Sequence, residues 1–155
     1  MAEAQIKEPK DLETILAKID FELRNKALKT AVRAAGNVVK TKIRQLTPRG
    51  DAKHRPELPP LWKSIITKVK GYRGDQIWVA IVGASWPDGT HFHLVDGGHE
   101  VKVSRGERKG KPPLSGTRKV AGKKMMATAI DTTMQQQDKA ILDSLAKSIE
   151  KASKG

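Results

Sequence analysis

The sequence predicts an α+β domain: a long N-terminal helix, an antiparallel sheet of about four strands, and a C-terminal helix packed on the same sheet. Three observations predict it. From Leu12 to Leu46, apolar residues recur at steps of three and four, the period of one helical face. The middle of the chain switches to short strand-like runs separated by glycine and proline turns. From Met126 to Ile149 the helical spacing returns. Each helix carries a single apolar stripe, and one face of a sheet can bury both.

Residues 1–10 are polar and read as a flexible arm, with one domain over 11–155. Asp11 is a reasonable N-cap, and Glu13 suits the positive end of the helix dipole. The first helix runs to about Leu46, with a break expected near Asp20-Phe21 where the stripe shifts phase. Thr47-Pro48 ends it, because a residue before proline avoids helical dihedrals. Positions 48–60 are a proline-rich loop. Ile65, Thr67 and Val69 alternate with Lys68 and Lys70, as a half-buried strand does. The run Ile77-Trp78-Val79-Ala80-Ile81-Val82-Gly83 is apolar on both faces and reads as a central, covered strand. After the turn at Trp86-Pro87-Asp88-Gly89, a third strand is expected from Thr90 to Asp96, and Gly97-Gly98 makes a tight hairpin into a fourth. Phe92 and Leu94 then pack inward.

Residues 104–121 read as a mobile basic loop, ordered only in an assembly. Between Val101 and Met125 there are nine Lys and Arg against the single acid Glu107. In the last helix, Met126, Ile130, Met134, Ile141, Leu145 and Ile149 form the stripe, with Gln137 where an apolar residue is expected. Lys123 and Lys124 oppose the dipole at its start, a conflict of about 0.3–1 kcal/mol unless an anion sits nearby.

The composition narrows the function classes. A net charge of +13 favours an anionic partner: nucleic acid, a membrane surface or an acidic protein face. The chain has no cysteine, which removes disulfides and thiolate metal sites. The polar N-terminus does not read as a signal peptide, and the longest apolar run is far short of a membrane span. The lysine-faced first helix has the charge of a membrane-surface helix, yet its apolar stripe fits the covering of a sheet better.

His91 and His93 share a strand face and, with Asp96 and His99, invite a metal reading. Asp96 points the other way in a regular strand, and His99 lies across the turn, so the competing reading is the polar face of a hairpin. No serine or cysteine nucleophile has a recognisable setting, and no phosphate-binding glycine pattern occurs. The basic segment supplies Lys102, Arg105, Arg108, Lys109, Lys111, Arg118, Lys119, Lys123 and Lys124 as contacts for DNA or an acidic partner. It holds no aromatic on which a base stacks, which argues against reading single-stranded sequence.

The order of parts resembles the phage head–tail joining family, also called neck or tail-completion proteins of long-tailed phages. The matching segments are Leu46-Thr47-Pro48, then Leu61-Trp62-Lys63-Ser64-Ile65, then Trp78-Val79-Ala80-Ile81-Val82-Gly83. His91-Phe92-His93-Leu94-Val95-Asp96-Gly97-Gly98-His99 and Lys124-Met125-Met126-Ala127-Thr128-Ala129 complete the set. Asp96 stands where the family has glutamate, Gly98-His99 where it has Gly-Thr, and two methionines where it has Phe-Leu. The resemblance covers about 25–150 and implies a structural, non-enzymatic subunit with no cofactor. It implies a homo-oligomeric ring, six-fold like phage tails, joining head-completion proteins to the tail in the virion neck after assembly in the host cytoplasm. DNA passes through such rings. Trp62, Trp86, His91, His93, Asp96 and His99 are the candidate subunit contacts. The alternative is a cytosolic basic protein making nonspecific phosphate contacts.

Overall fold

The computed structural model describes residues 21–49, 60–74, 77–105 and 114–153. The expected arm, the helix start and its break near Asp20 lie outside the described residues, as does most of the proline-rich loop. Among the described residues the elements follow in order: α1 (Phe21–Leu46), a short 3₁₀ turn (Leu61–Ser64), β1 (Ile65–Tyr72), β2 (Ile77–Ala84), α2 (Phe92–Gly97), β3 (Gly98–Arg105), β4 (Leu114–Ala121) and α3 (Met125–Ser153).

The α+β class and the two long helices agree with the sequence. The sheet does not. Instead of four strands in one sheet there are two separate antiparallel ribbons, β1–β2 and β3–β4. Two elements differ from expectation. The Phe92–Gly97 segment is a short helix, not a third strand. The segment Leu114–Ala121, expected within a mobile loop, is a strand paired to β3, from Gly98 opposite Ala121 to Arg105 opposite Leu114. Residues 106–113, which hold Arg108, Lys109 and Lys111, lie outside the described residues.

α1 is the layer between the other parts. Ala27 and Ala31 pack with Leu145, and Leu28 and Ile141 join them. At the other end Val39 and Ile43 pack with Met125 and Ala129. Early α1 thus meets late α3, so the helices run antiparallel. The C-terminal helix covers α1 and not the sheet, contrary to expectation. Small alanines at the crossing let the two helices approach closely.

The β1–β2 ribbon lies on the opposite side of α1. Gly36 comes nine positions after Ala27, about two and a half helical turns, which places it half a turn round the axis. There the ribbon comes so close that a Cβ on Gly36 falls 2.7 Å from Thr67 Cγ2 and 2.9 Å from Ala80 Cβ. Thr67 donates its hydroxyl to the Gly36 carbonyl at 3.3 Å. Thr67 and Ala80 face the helix here, as the alternation in β1 predicts.

Ile43, Ile65 and Met125 are fully buried where α1, β1 and the start of α3 meet, with Phe92 of α2 beside them. Burying each large side chain contributes about 1.5–3 kcal/mol over exposure. Polar ends are tied in as well. The buried Thr47 hydroxyl donates to the Ile43 carbonyl at 2.7 Å and closes α1. Arg44 Nη2 donates to the Ile65 carbonyl at 2.8 Å and fixes the start of β1 against the end of α1. Gln137, the polar residue in the α3 stripe, donates to Thr133 Oγ1 at 3.0 Å, and the buried Thr133 hydroxyl donates to the Ala129 carbonyl. That chain of bonds is how the helix interface accommodates an amide.

Candidate interaction surfaces

The first surface is the outer face of β1–β2. The ribbon register sets Tyr72 opposite Ile77, Lys70 opposite Val79, and Lys68 opposite Ile81. With Trp78, Ala80 and Val82 turned to α1, the alternate residues Ile77, Val79 and Ile81 point outward and are exposed, as is Tyr72. β2 is therefore covered on one face only, and its double-sided apolar pattern records a second face with no partner among the described residues. The pattern is visible in the sequence. The bare second face is not, because periodicity places a third strand and the C-terminal helix over the same sheet.

The second surface is on α3. The expected stripe is out of phase in the first half of this helix: Met125, Ala129 and Thr133 are buried, while Ile130 and Met134 are exposed, Met134 by 58%. Sequence spacing alone does not separate the two phases, because threonine and alanine do not read as a buried face. In the second half Leu145 is buried and Ile141 and Ile149 are half-buried, as expected. Leu142 joins Ile130 and Met134 on the outside.

The third is the β3–β4 ribbon. Among the described elements it packs chiefly on α2, which leads directly into β3. Val101 lies opposite Arg118, and Lys102 opposite Thr117, so cations stand on both ribbon faces. Lys102, Arg118 and Lys119 are exposed, and Lys119 pairs with Glu100 at 3.5 Å across the strands. Such an exposed pair contributes little, about 0–1 kcal/mol. Arg105 is the last residue of β3.

The predicted site residues separate. His91 and His93 are exposed at the start of α2, and His99 is in β3 with Nδ1 3.3 Å from the Leu94 carbonyl oxygen. Among the described residues no group of three metal-type ligands converges. Asp96 has a structural role that sequence reasoning missed. Its carboxylate accepts a hydrogen bond from the Met126 N–H at 3.0 Å, and its carbonyl accepts from the Lys124 N–H at 3.0 Å. Lys124 is the N-cap of α3, since its carbonyl accepts the Thr128 N–H, yet its side chain has no oxygen to cap with. Asp96 supplies that oxygen from 30 residues upstream. Its carboxylate also places a negative charge at the positive end of the α3 dipole.

The tryptophans differ sharply. Trp78 is turned toward α1, with Lys29 Nζ 5.4 Å from its ring centroid. Trp62 is half-buried between two cations, Arg49 at 5.9 Å and Lys63 at 5.5 Å. Trp86 is 85% exposed in the turn after β2, so it is not a core residue. The Trp86-Pro87 peptide is cis.

An open cleft of about 500 Å³ lies between α1 and α3, lined by Asn37, Thr41, Lys42, Gln45, Thr132 and Gln136 among others. Among the described residues no carboxylate or histidine lines it, so those residues bring no acid–base pair together there. No helix among the described residues is long and apolar enough to cross a membrane. Compared with protein-family models, curated proteins and solved structures, the chain matches none.

Proposed function

We propose that this chain is a structural subunit of a phage neck, forming a ring that joins the DNA-filled head to the tail during virion assembly. The observation that carries the reading is the outer face of β1–β2. A chain of net charge +13 leaves Tyr72, Ile77, Val79 and Ile81 side by side in water. A contiguous apolar patch on a charged subunit is the mark of a surface covered on assembly. The exposed Trp86 supports the same reading, because tryptophan is enriched where interfaces concentrate their binding energy. The order of motifs that resembles the head–tail joining family supplies the identity of the assembly, and with it the six-fold ring, the head-completion and tail partners and the location in the virion. The reading assigns no catalytic residue, metal or cofactor.

The basic ribbon fits this role as an arm toward DNA in the channel or toward an acidic neighbouring ring. It also favours a second reading, a nucleic-acid-binding protein, because cations on both ribbon faces suit phosphate contacts without sequence readout. Deleting the gene in its phage and imaging the lysate tests the first reading. Separate full heads and tails are expected. Joined, infectious particles without the protein refute it. Steeply salt-dependent binding of plain duplex DNA by the isolated protein, together with normal joined particles, supports the second reading.

A further inference from the structure

The two exposed apolar faces carry opposite charge. On β1–β2, Lys68 and Lys70 stand in the same outward rows as Ile81 and Val79, and the described part of the ribbon has no acid. On α3, Ile130, Met134, Asp138 and Leu142 follow at steps of four as an exposed ridge, and Asp131 beside Ile130 is exposed as well. α3 holds four of the eight acids among the described residues. Among those residues neither Lys68, Asp131 nor Asp138 has an ion-pair partner in the subunit.

We infer that the lysine-flanked outer face of β1–β2 on one copy docks against the aspartate-bearing outer stripe of α3 on the next copy. α1 separates the two faces, with the ribbon on its Gly36 side and α3 on its Ala27 side. One copy therefore does not pair its own two faces. A contact between unlike faces repeats from copy to copy, and it closes into a ring or runs on as a filament. Opposite charges fix the choice of partner: ribbon on ribbon sets lysine against lysine, and stripe on stripe sets aspartate against aspartate. This pairing rests on the ring reading for its partner, a second copy, and adds to it which surfaces meet.

The test uses the full chain, whose lack of cysteine makes engineered thiols unambiguous. Sedimentation velocity compares the wild type with Lys68→Glu/Lys70→Glu, with Asp131→Lys/Asp138→Lys, and with all four changes together. Each double reversal is expected to weaken self-association by on the order of tenfold or more, and the fourfold variant to recover most of it. Mixing the two double variants restores assembly as well, since each then offers the charge the other lacks. Under mild oxidation, Val79→Cys protein mixed with Met134→Cys protein is expected to form the crosslinked pair, while each alone does not.

Three results overturn the proposal. In the first, Val79→Cys alone crosslinks efficiently, which means ribbon packs on ribbon. In the second, wild type and both reversals assemble equally, which removes the face pairing and leaves the neck reading standing. In the third, the wild type stays monomeric at every concentration, and the neck reading then depends on the lysate images alone. Circular dichroism of each variant confirms that a lost assembly is not a lost fold.

Discussion

Replacing Gly36 by alanine sets two physical effects of opposite sign against each other. In the interior of an exposed helix, Gly→Ala stabilises by about 1 kcal/mol, because alanine loses less backbone entropy and is the best helix former. Gly36 is buried, and the added methyl falls 2.7 Å from Thr67 Cγ2 and 2.9 Å from Ala80 Cβ. Both separations are well inside carbon–carbon contact, and the second neighbour is a Cβ that moves only with its backbone. Overpacking of this kind costs about 1–3 kcal/mol. The overpacking term wins, and Gly36→Ala is expected to destabilise the chain by a net of about 1 kcal/mol. Urea unfolding followed by far-UV circular dichroism measures it as a lower midpoint at unchanged slope. The same substitution in a Thr67→Ser/Ala80→Gly background removes both clashes, so there Gly36→Ala is expected to stabilise. A Gly36→Ala variant more stable than wild type in the native background would refute the close approach of the ribbon to α1 at Gly36.

Four further outcomes follow from named side chains. Asp96→Ala is expected to cost about 1–2 kcal/mol, while Asp96→Asn keeps the hydrogen bond to Met126 and loses only the charge component of about 0.3–1 kcal/mol; equal stability of all three proteins in urea contradicts the capping role. Arg44→Ala removes the bond to the Ile65 carbonyl and is expected to cost about 1.5–3 kcal/mol, with faster amide exchange at the start of β1 as the local readout. Trp86→Phe is expected to leave stability within about 0.5 kcal/mol while removing the most acrylamide-quenchable part of the fluorescence, and undiminished quenching contradicts its exposure. If the ribbon binds phosphates, Lys102→Ala/Arg118→Ala/Lys119→Ala is expected to make the slope of log K against log salt shallower by about 0.9 for each phosphate no longer neutralised.

The long helices are legible in the sequence because their signal is periodic and sustained. Leu46-Thr47-Pro48 marks the end of α1 to the residue, since a proline restricts the dihedrals of its neighbour whatever the tertiary surroundings. The β1 alternation is legible for the same local reason. The Thr90–Asp96 segment misleads because Phe92, Leu94 and Val95 fit either period over so short a stretch. Six residues of helix are decided by what Phe92 packs on, here Ile65 and Met125, and not by propensity. The Leu114–Ala121 strand escapes a sequence reading because its cations and glycine carry no strand signal; it exists through pairing with β3.

The candidate surfaces are legible only as residues. His91, His93, Asp96 and His99 are close in sequence and suggest one constellation, yet α2 turns the first two into solvent and commits Asp96 to the α3 N-terminus. Nothing in sequence spacing links Asp96 to Met126, because the link depends on where two helix ends meet. The exposed stripe on α3 is hidden for a related reason. Ile130 and Met134 look like core by their spacing, and only the position of α1 reveals that Met125, Ala129 and Thr133 take that place.

By itself the sequence determined the α+β class, the two long helices, the end of α1, the first ribbon strand and the large positive charge. These follow from local dihedral preferences, periodicity and composition, which act over a few residues or over the whole chain. Tertiary structure alone decided that the strands form two ribbons, that α1 lies between one ribbon and α3, and which apolar faces are left in water. Those depend on which of several apolar surfaces pair, and a stripe is equally apolar whether its partner lies in the same chain or in the next.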